Sequence, residues 1–375
     1  MQRVCLFLLM VVEMIPARRL KDRALNRSTP VIRWLPKRGT HMFNNTPWLQ
    51  QVQESVVDPD REIVDPHHHL WPEPSMGYNL DELLGDTRDG HRVTQTVFME
   101  CGAAYWREGP EHLRCVGETA FIRAAADNAT HRQAPTQIAG IVAHANLRES
   151  RLNEVLDAHE ETAGDLFKGI RHAGASAGDI QGLVIPGSAD RGLMHDEDFR
   201  QGVRALGQRG LTYDTWLYHF QIADFFKLAQ AVPETTMVLD HFGTPLGVGD
   251  FANQKEAIFA QWQEDIARVA ECKNVFAKLG GLAMPDNGFG WYGRDLPPSS
   301  DEFLEAQKPY YDHAIACFGP ERCMFESNFP VDRLSIGYRV LWNGLKKIAT
   351  DFSETEKDLM FSGVARKVYR LSPPA

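Results

Sequence analysis

Eight short β-type runs, each followed by a longer amphipathic stretch, set the strongest limit on how this chain can fold. They fall at residues 63–69, 95–100, 138–144, 167–172, 210–219, 236–241, 275–279 and 323–328. Between them lie helical patterns such as 113–132 and 254–271. Strands that alternate with helices build βαβ units and a parallel sheet. Eight such units are the number that closes a (β/α)8 TIM barrel. The expected fold class is therefore α/β, one barrel over residues 42–375 behind an N-terminal extension at 1–41. The 375 residues accommodate one barrel of about 250 residues with additions.

The ends of these runs point to function. Five finish in histidine (His69, His144, His172, His219 and His241), another in Glu100 and the last in Asn328. In a parallel barrel the C-terminal strand ends form the rim where catalytic groups sit. One histidine there reads as structural, whereas several on one rim read as a site. In the stretch VDPHHHLW, strand alternation puts His67 and His69 on one face and His68 on the other. The two like-facing residues stand about 7 Å apart at Cα, twice the rise per residue. That spacing lets two imidazoles close on one ion, provided other strands supply further ligands.

Composition excludes several classes. The net charge is −10, but residues 1–41 hold nine basic and two acidic residues, a net of +7, so the remainder carries −17. A body this acidic does not bind nucleic acid by counterion release. The apolar run at 4–12 is too short to span a bilayer, which takes about 20 residues, and no small-x-small cleavage site follows it. The basic leader reads as a disordered extension, a targeting peptide, or sequence ahead of a start at Met42. Six scattered cysteines without a C-x-x-C pair fit a reducing, cytoplasmic setting. No G-x-G-x-x-G or P-loop pattern is present.

The motifs VDPHHHLW, LDHFG and FESNFP resemble those of the amidohydrolase-related (amidohydrolase 2) TIM-barrel metal-dependent hydrolases, in their lactonase-rich branch. The resemblance runs from about residue 63 to 368. It implies a hydrolase that opens a small lactone of sugar-acid or aromatic-degradation type, with a lactone or carboxylate as its small-molecule partner. It also implies one divalent ion, zinc or manganese, with metal-free action left open. By the same resemblance His67, His69 and His241 are metal ligands, His241 also activates water, and Arg171 in KGIRH contacts substrate. The family's last strand usually reads G-S-D-W-P, with the aspartate as general base.

This chain has Asn328 there, and an amide cannot accept a proton from water, so Asn328 either positions water or substrate or leaves the chemistry to other groups. Two carboxylates are near enough in sequence to replace the aspartate: Glu326, two residues earlier on the same strand face, and Asp332 in the following loop. Glu100 either ligates metal or pairs with Arg171. His219 and Lys278 are candidates for holding substrate. The aromatic segment 282–300 reads as a lid that brings Trp291 to the substrate. Two other functions stay open: non-oxidative decarboxylation of an aromatic or muconate-type acid, and binding of a small molecule without turnover. The chain can also be a homo-oligomer.

Overall fold

The computed structural model describes residues 43–72 and 76–373, so the basic leader lies outside the described residues. The strands are β1 (Glu62–His68), β2 (Arg92–Met99), β3 (Gln137–Ala143), β4 (Phe167–Arg171), β5 (Thr212–Thr215), β6 (Met237–Leu239), β7 (Val275–Leu279) and β8 (Cys323–Phe325). They form one sheet in sequence order, and every neighbouring pair is parallel. Just above the ends of β1 and β8, His68 bridges Phe329 and the His69 amide donates to the Phe329 carbonyl at 2.8 Å. The sheet thereby closes into a (β/α)8 barrel.

The helices that follow the strands in turn are α1 (Leu80–Thr87), α2 (Val116–His131), α3 (Leu152–Ala163), α4 (Glu197–Gln208), α5 (Ile222–Ala231), α6 (Lys255–Glu271), α7 (Ser300–Phe318) and α8 (Tyr338–Ile348). Local chemistry starts several of them. Asn79 and Glu82 form a capping box on α1, and Asp196 and Ser299 accept amides at the starts of α4 and α7. Such caps satisfy backbone donors that have no partner inside the helix.

Several expected strands are shorter than their apolar runs, and the 236–241 run yields only Met237–Leu239. The 210–219 run yields only Thr212–Thr215, because the Trp216 carbonyl accepts the amides of Gly174 and Ala175 in the loop after β4. The 323–328 run ends at Phe325, and Asn328 adopts a left-handed φ of 53°.

Side chains two apart on a strand share a face, and the barrel interior follows that rule in two layers. The lower layer contains Val64, Val97, Val142, Val238, Phe276 and Met324, closed below by α9 (Val364–Tyr369) through Val368 and Tyr369. Two residues further along their strands, Asp240 follows Val238, Lys278 follows Phe276 and Glu326 follows Met324, and all three are fully buried. An apolar floor thus carries a charged layer, and the site is built on that layer.

Candidate active site

His67 reaches the axis through a break in strand alternation. Val64 belongs to the interior layer, whereas Asp65 faces outward, accepting Tyr338 Oη of α8 at 3.0 Å and the Ser327 amide at 3.0 Å. In an unbroken strand His67 would follow Asp65 outward. The register with β2 slips between Asp65 and His68, where three steps on β1 match two on β2. An extra residue of this kind reverses the facing of the residues beyond it. His67 and His69 then turn to the axis, with Nε2 atoms 3.2 Å apart. His68 packs outward on Phe98, beside the Thr96 hydroxyl, and burial pushes its pKa down to about 3.

Hydrogen-bond partners fix which nitrogen of each ring carries the proton. The Met99 carbonyl can only accept, so His69 Nδ1 donates to it at 2.9 Å and His69 Nε2 holds a lone pair. Arg171 can only donate, and its Nη1 lies 3.3 Å from His67 Nε2, so that nitrogen also holds a lone pair. His67 Nδ1 lies 2.9 Å from Glu326 Oε2, within ion-pair distance. His241 Nδ1 donates to the other Glu326 oxygen at 2.7 Å. The His67 and His241 rings are 4.4 Å apart. Burial first, and then the Lys278, His241, His69 and Arg171 charges, hold the His67 pKa well below its ordinary value, so the ring is neutral.

The ends of β6 and β7 place His241. His241 and Phe242 have φ values of 54° and 58°, and the Trp262 indole of α6 holds this kink by donating to the Phe242 carbonyl at 2.7 Å. Opposite them, Gly280 and Gly281 leave room that no side chain could share. A Cβ on Gly281 would lie 2.3 Å from His241 Nδ1, and one on Gly280 would lie 2.4 Å from Glu326 Cγ.

Around the histidines is a ring of charge. Arg171 Nε donates to Glu100 Oε1 at 2.9 Å, and Nη1 lies 3.5 Å from Asp240 Oδ2. Lys278 Nζ sits between Asp214 at 3.0 Å and Asp240 at 3.1 Å. Burial would raise the Asp240 carboxyl, but Lys278, His241 and Arg171 together hold its pKa below the usual carboxylate value. The two cations, Arg171 and Lys278, face four acids, Glu100, Asp214, Asp240 and Glu326, so the formal charge of the cluster is −2.

The other expected site residues have contacts of their own. Asn328 turns its amide nitrogen to Asp332 Oδ1 at 2.8 Å, while Asp332 Oδ2 accepts the Ala283 amide at 3.2 Å. Burial raises the Asp332 carboxyl well above its ordinary value. His219 accepts the Leu246 amide at 3.2 Å and packs against Phe220 and Phe251. Trp291 is buried between Phe289 and Phe303. The loop after β7 is clasped to the loop after β4, since Asp286 accepts the Val184 and Ile185 amides at 2.6 and 2.9 Å. A cavity of about 500 Å3 lies at the other end of the barrel, where Glu62 and Arg92 open β1 and β2, and none of the site histidines line it.

Three donors, His67, Asp240 and His241, each bring a ligand atom within 4.8 Å of one another. Imidazoles whose other nitrogen is already hydrogen-bonded, beside a carboxylate in a cluster of charge −2, suit a divalent ion. The sequence pattern matches the amidohydrolase family model over residues 64–371. The chain belongs to the amidohydrolase family. This amidohydrolase is 29% identical over 334 residues to the uncharacterized protein y4mH of Sinorhizobium fredii, covering 83% of this chain and 99% of that one. It is 28% identical over 322 residues to an L-fucono-1,5-lactonase of Burkholderia multivorans, covering 83% and 97%. Its fold is similar to that of a zinc-bound amidohydrolase from Burkholderia multivorans, with a TM-score of 0.64, 23% identity and coverage of 83% and 99%. It is a hydrolase of this superfamily, and among the described residues no helix is long and apolar enough to cross a membrane.

Proposed function

We propose that this amidohydrolase opens the ring of a small lactone by attack of water. The observation that carries this reading is the Glu326–His241 pair, with 2.7 Å from carboxylate to Nδ1. Glu326 fixes the tautomer and leaves His241 Nε2 as a proton acceptor, the arrangement of an imidazole general base oriented by a carboxylate. The amide at position 328 does not disarm such a site, because Glu326 acts through His241 instead of taking the proton itself. Similarity to the L-fucono-1,5-lactonase supports a lactone as the ester.

In this mechanism His241 Nε2 takes a proton from water as the oxygen attacks the lactone carbonyl carbon. Glu326 holds the resulting imidazolium through Nδ1–H. Arg171, buried beside His67 with its Nη1 3.3 Å from His67 Nε2, donates to the carbonyl oxygen as negative charge grows there. The tetrahedral adduct then breaks the ring C–O bond, and the departing oxygen recovers the proton from His241, giving a hydroxy acid. His67 and Asp240, two of the three donors within 4.8 Å of one another, would hold a divalent ion, zinc or manganese, together with His69, whose Nε2 is 3.2 Å from His67 Nε2; when bound it supplies Lewis-acid polarisation and acidifies water. His241 has one free nitrogen, and this mechanism gives it to the proton.

A panel of sugar-acid and aromatic-derived lactones, followed by proton release, tests the proposal. Turnover of at least one lactone is expected. Carbon dioxide release from an aromatic acid, with every lactone untouched, would identify a decarboxylase instead.

A further inference from the structure

Lys278 enters the barrel axis from β7 and is fully buried, directly beneath the histidines. Its Nζ lies 3.0 Å from Asp214, 3.1 Å from Asp240, 3.2 Å from the Met99 sulfur and 3.5 Å from His67 Nδ1. Tyr369 of α9 completes the column, with its hydroxyl on Asp214 and its ring 5.4 Å from Nζ. Stability does not account for this arrangement. Taking an ammonium and two carboxylates out of water costs several kcal/mol per ion, and apolar side chains of the same volume often serve as well or better. Nor can a sealed ammonium reach substrate.

Its position relative to Asp240 suggests another role. Oδ1 of that carboxylate faces Lys278, and Oδ2 faces Arg171. An ion at His67 and His69 that draws on Asp240 must share it with two fixed positive charges. We propose that the Lys278 ammonium is a built-in competitor for the divalent ion at Asp240 and sets how weakly the site holds metal. With Lys278 in place Asp240 stays aimed and neutralised whether or not an ion is present, so the histidines need not rearrange as metal comes and goes. The inference rests on the donor set assigned above, and its test requires no substrate.

Full-length protein stripped with EDTA is titrated calorimetrically with zinc alone, as wild type, Lys278→Met, and the double variant Asp214→Asn/Lys278→Met. The double variant removes the acid that the single change would leave unpaired, and near-UV circular dichroism reports folding. Zinc affinity at least tenfold tighter in the folded variants is expected, or one zinc bound where wild type binds none. Affinity raised by less than tenfold, lowered affinity, or no zinc in either variant overturns the proposal.

Discussion

Glu326 joins His67 and His241 through one carboxylate, with Oε1 2.7 Å from His241 Nδ1 and Oε2 2.9 Å from His67 Nδ1. The His241 contact needs an acceptor, because that ring nitrogen carries the hydrogen. Glu326→Gln keeps the shape but replaces one acceptor with an NH2 group, forcing one imidazole into the wrong tautomer. The expected loss in kcat/KM is at least a thousandfold, equivalent to about 4 kcal/mol of transition-state stabilisation. Steady-state kinetics on the best lactone, with circular dichroism as a folding control, checks this; a loss below tenfold would remove Glu326 from the mechanism.

His241→Asn separates the two uses of that ring. If Nε2 takes the proton while His67, His69 and Asp240 hold the ion, the variant loses turnover by at least a thousandfold and keeps the zinc content of wild type. Elemental analysis beside the kinetics decides it. Zinc lost along with turnover would make His241 a ligand and assign the base elsewhere.

The barrel and its histidine rim are legible in the sequence because both follow from periodicity, two within a strand and one helix between strands. The opposed facing of His67 and His68 is legible too, although the slip that points His67 inward, between Asp65 and His68, leaves no mark in composition. Asp240 is hidden beside His241. Neighbours in a regular strand face opposite ways, but β6 ends at Leu239 and the φ of 54° at His241 brings both side chains to the axis. The signal for Asp240 is its spacing of two from the inward Val238. Asn328 departs from the strand pattern, since its left-handed φ ends the alternation that would pair it with Glu326. The aromatic run around Trp291 has the composition of a lid and packs as core, because hydropathy alone does not distinguish an aromatic that waits for substrate from one already covered by Phe289 and Phe303. The loop after β4 carries no motif, although a long connection in a compact domain is itself a hint of function.

Gly281 supports the site by what it lacks. Its φ is 74°, and a Cβ would stand 2.3 Å from His241 Nδ1. Gly281→Ala therefore strains the backbone by about 1–3 kcal/mol and pushes the imidazole off Glu326. Displacements of about 1 Å can cost on the order of a hundredfold in rate. A hundredfold fall in kcat with a modest drop in melting temperature is expected. Unchanged kcat would show that His241 does not need this placement.

Glu118, the third residue of α2, supports the backbone just after Glu100 by accepting the amides of Cys101 and Ala103 at 3.1 and 2.7 Å. Burial, with Glu100 adding to it, pushes its pKa up to about 8 from 4.5. The folded pKa exceeds the unfolded one, so the folded state takes up a proton across this window. Its contribution is fully present below about pH 4.5 and is lost as pH rises toward 8, a change on the order of 4 kcal/mol. Glu118→Gln cannot titrate and keeps an oxygen for the two amides. The variant is expected to gain stability relative to wild type as pH rises from 5 to 8, measured by urea denaturation at each pH. Parallel pH profiles for the two proteins would mean that Glu118 is ionised in the fold and that the Arg171–Glu100 edge carries a further buried negative charge.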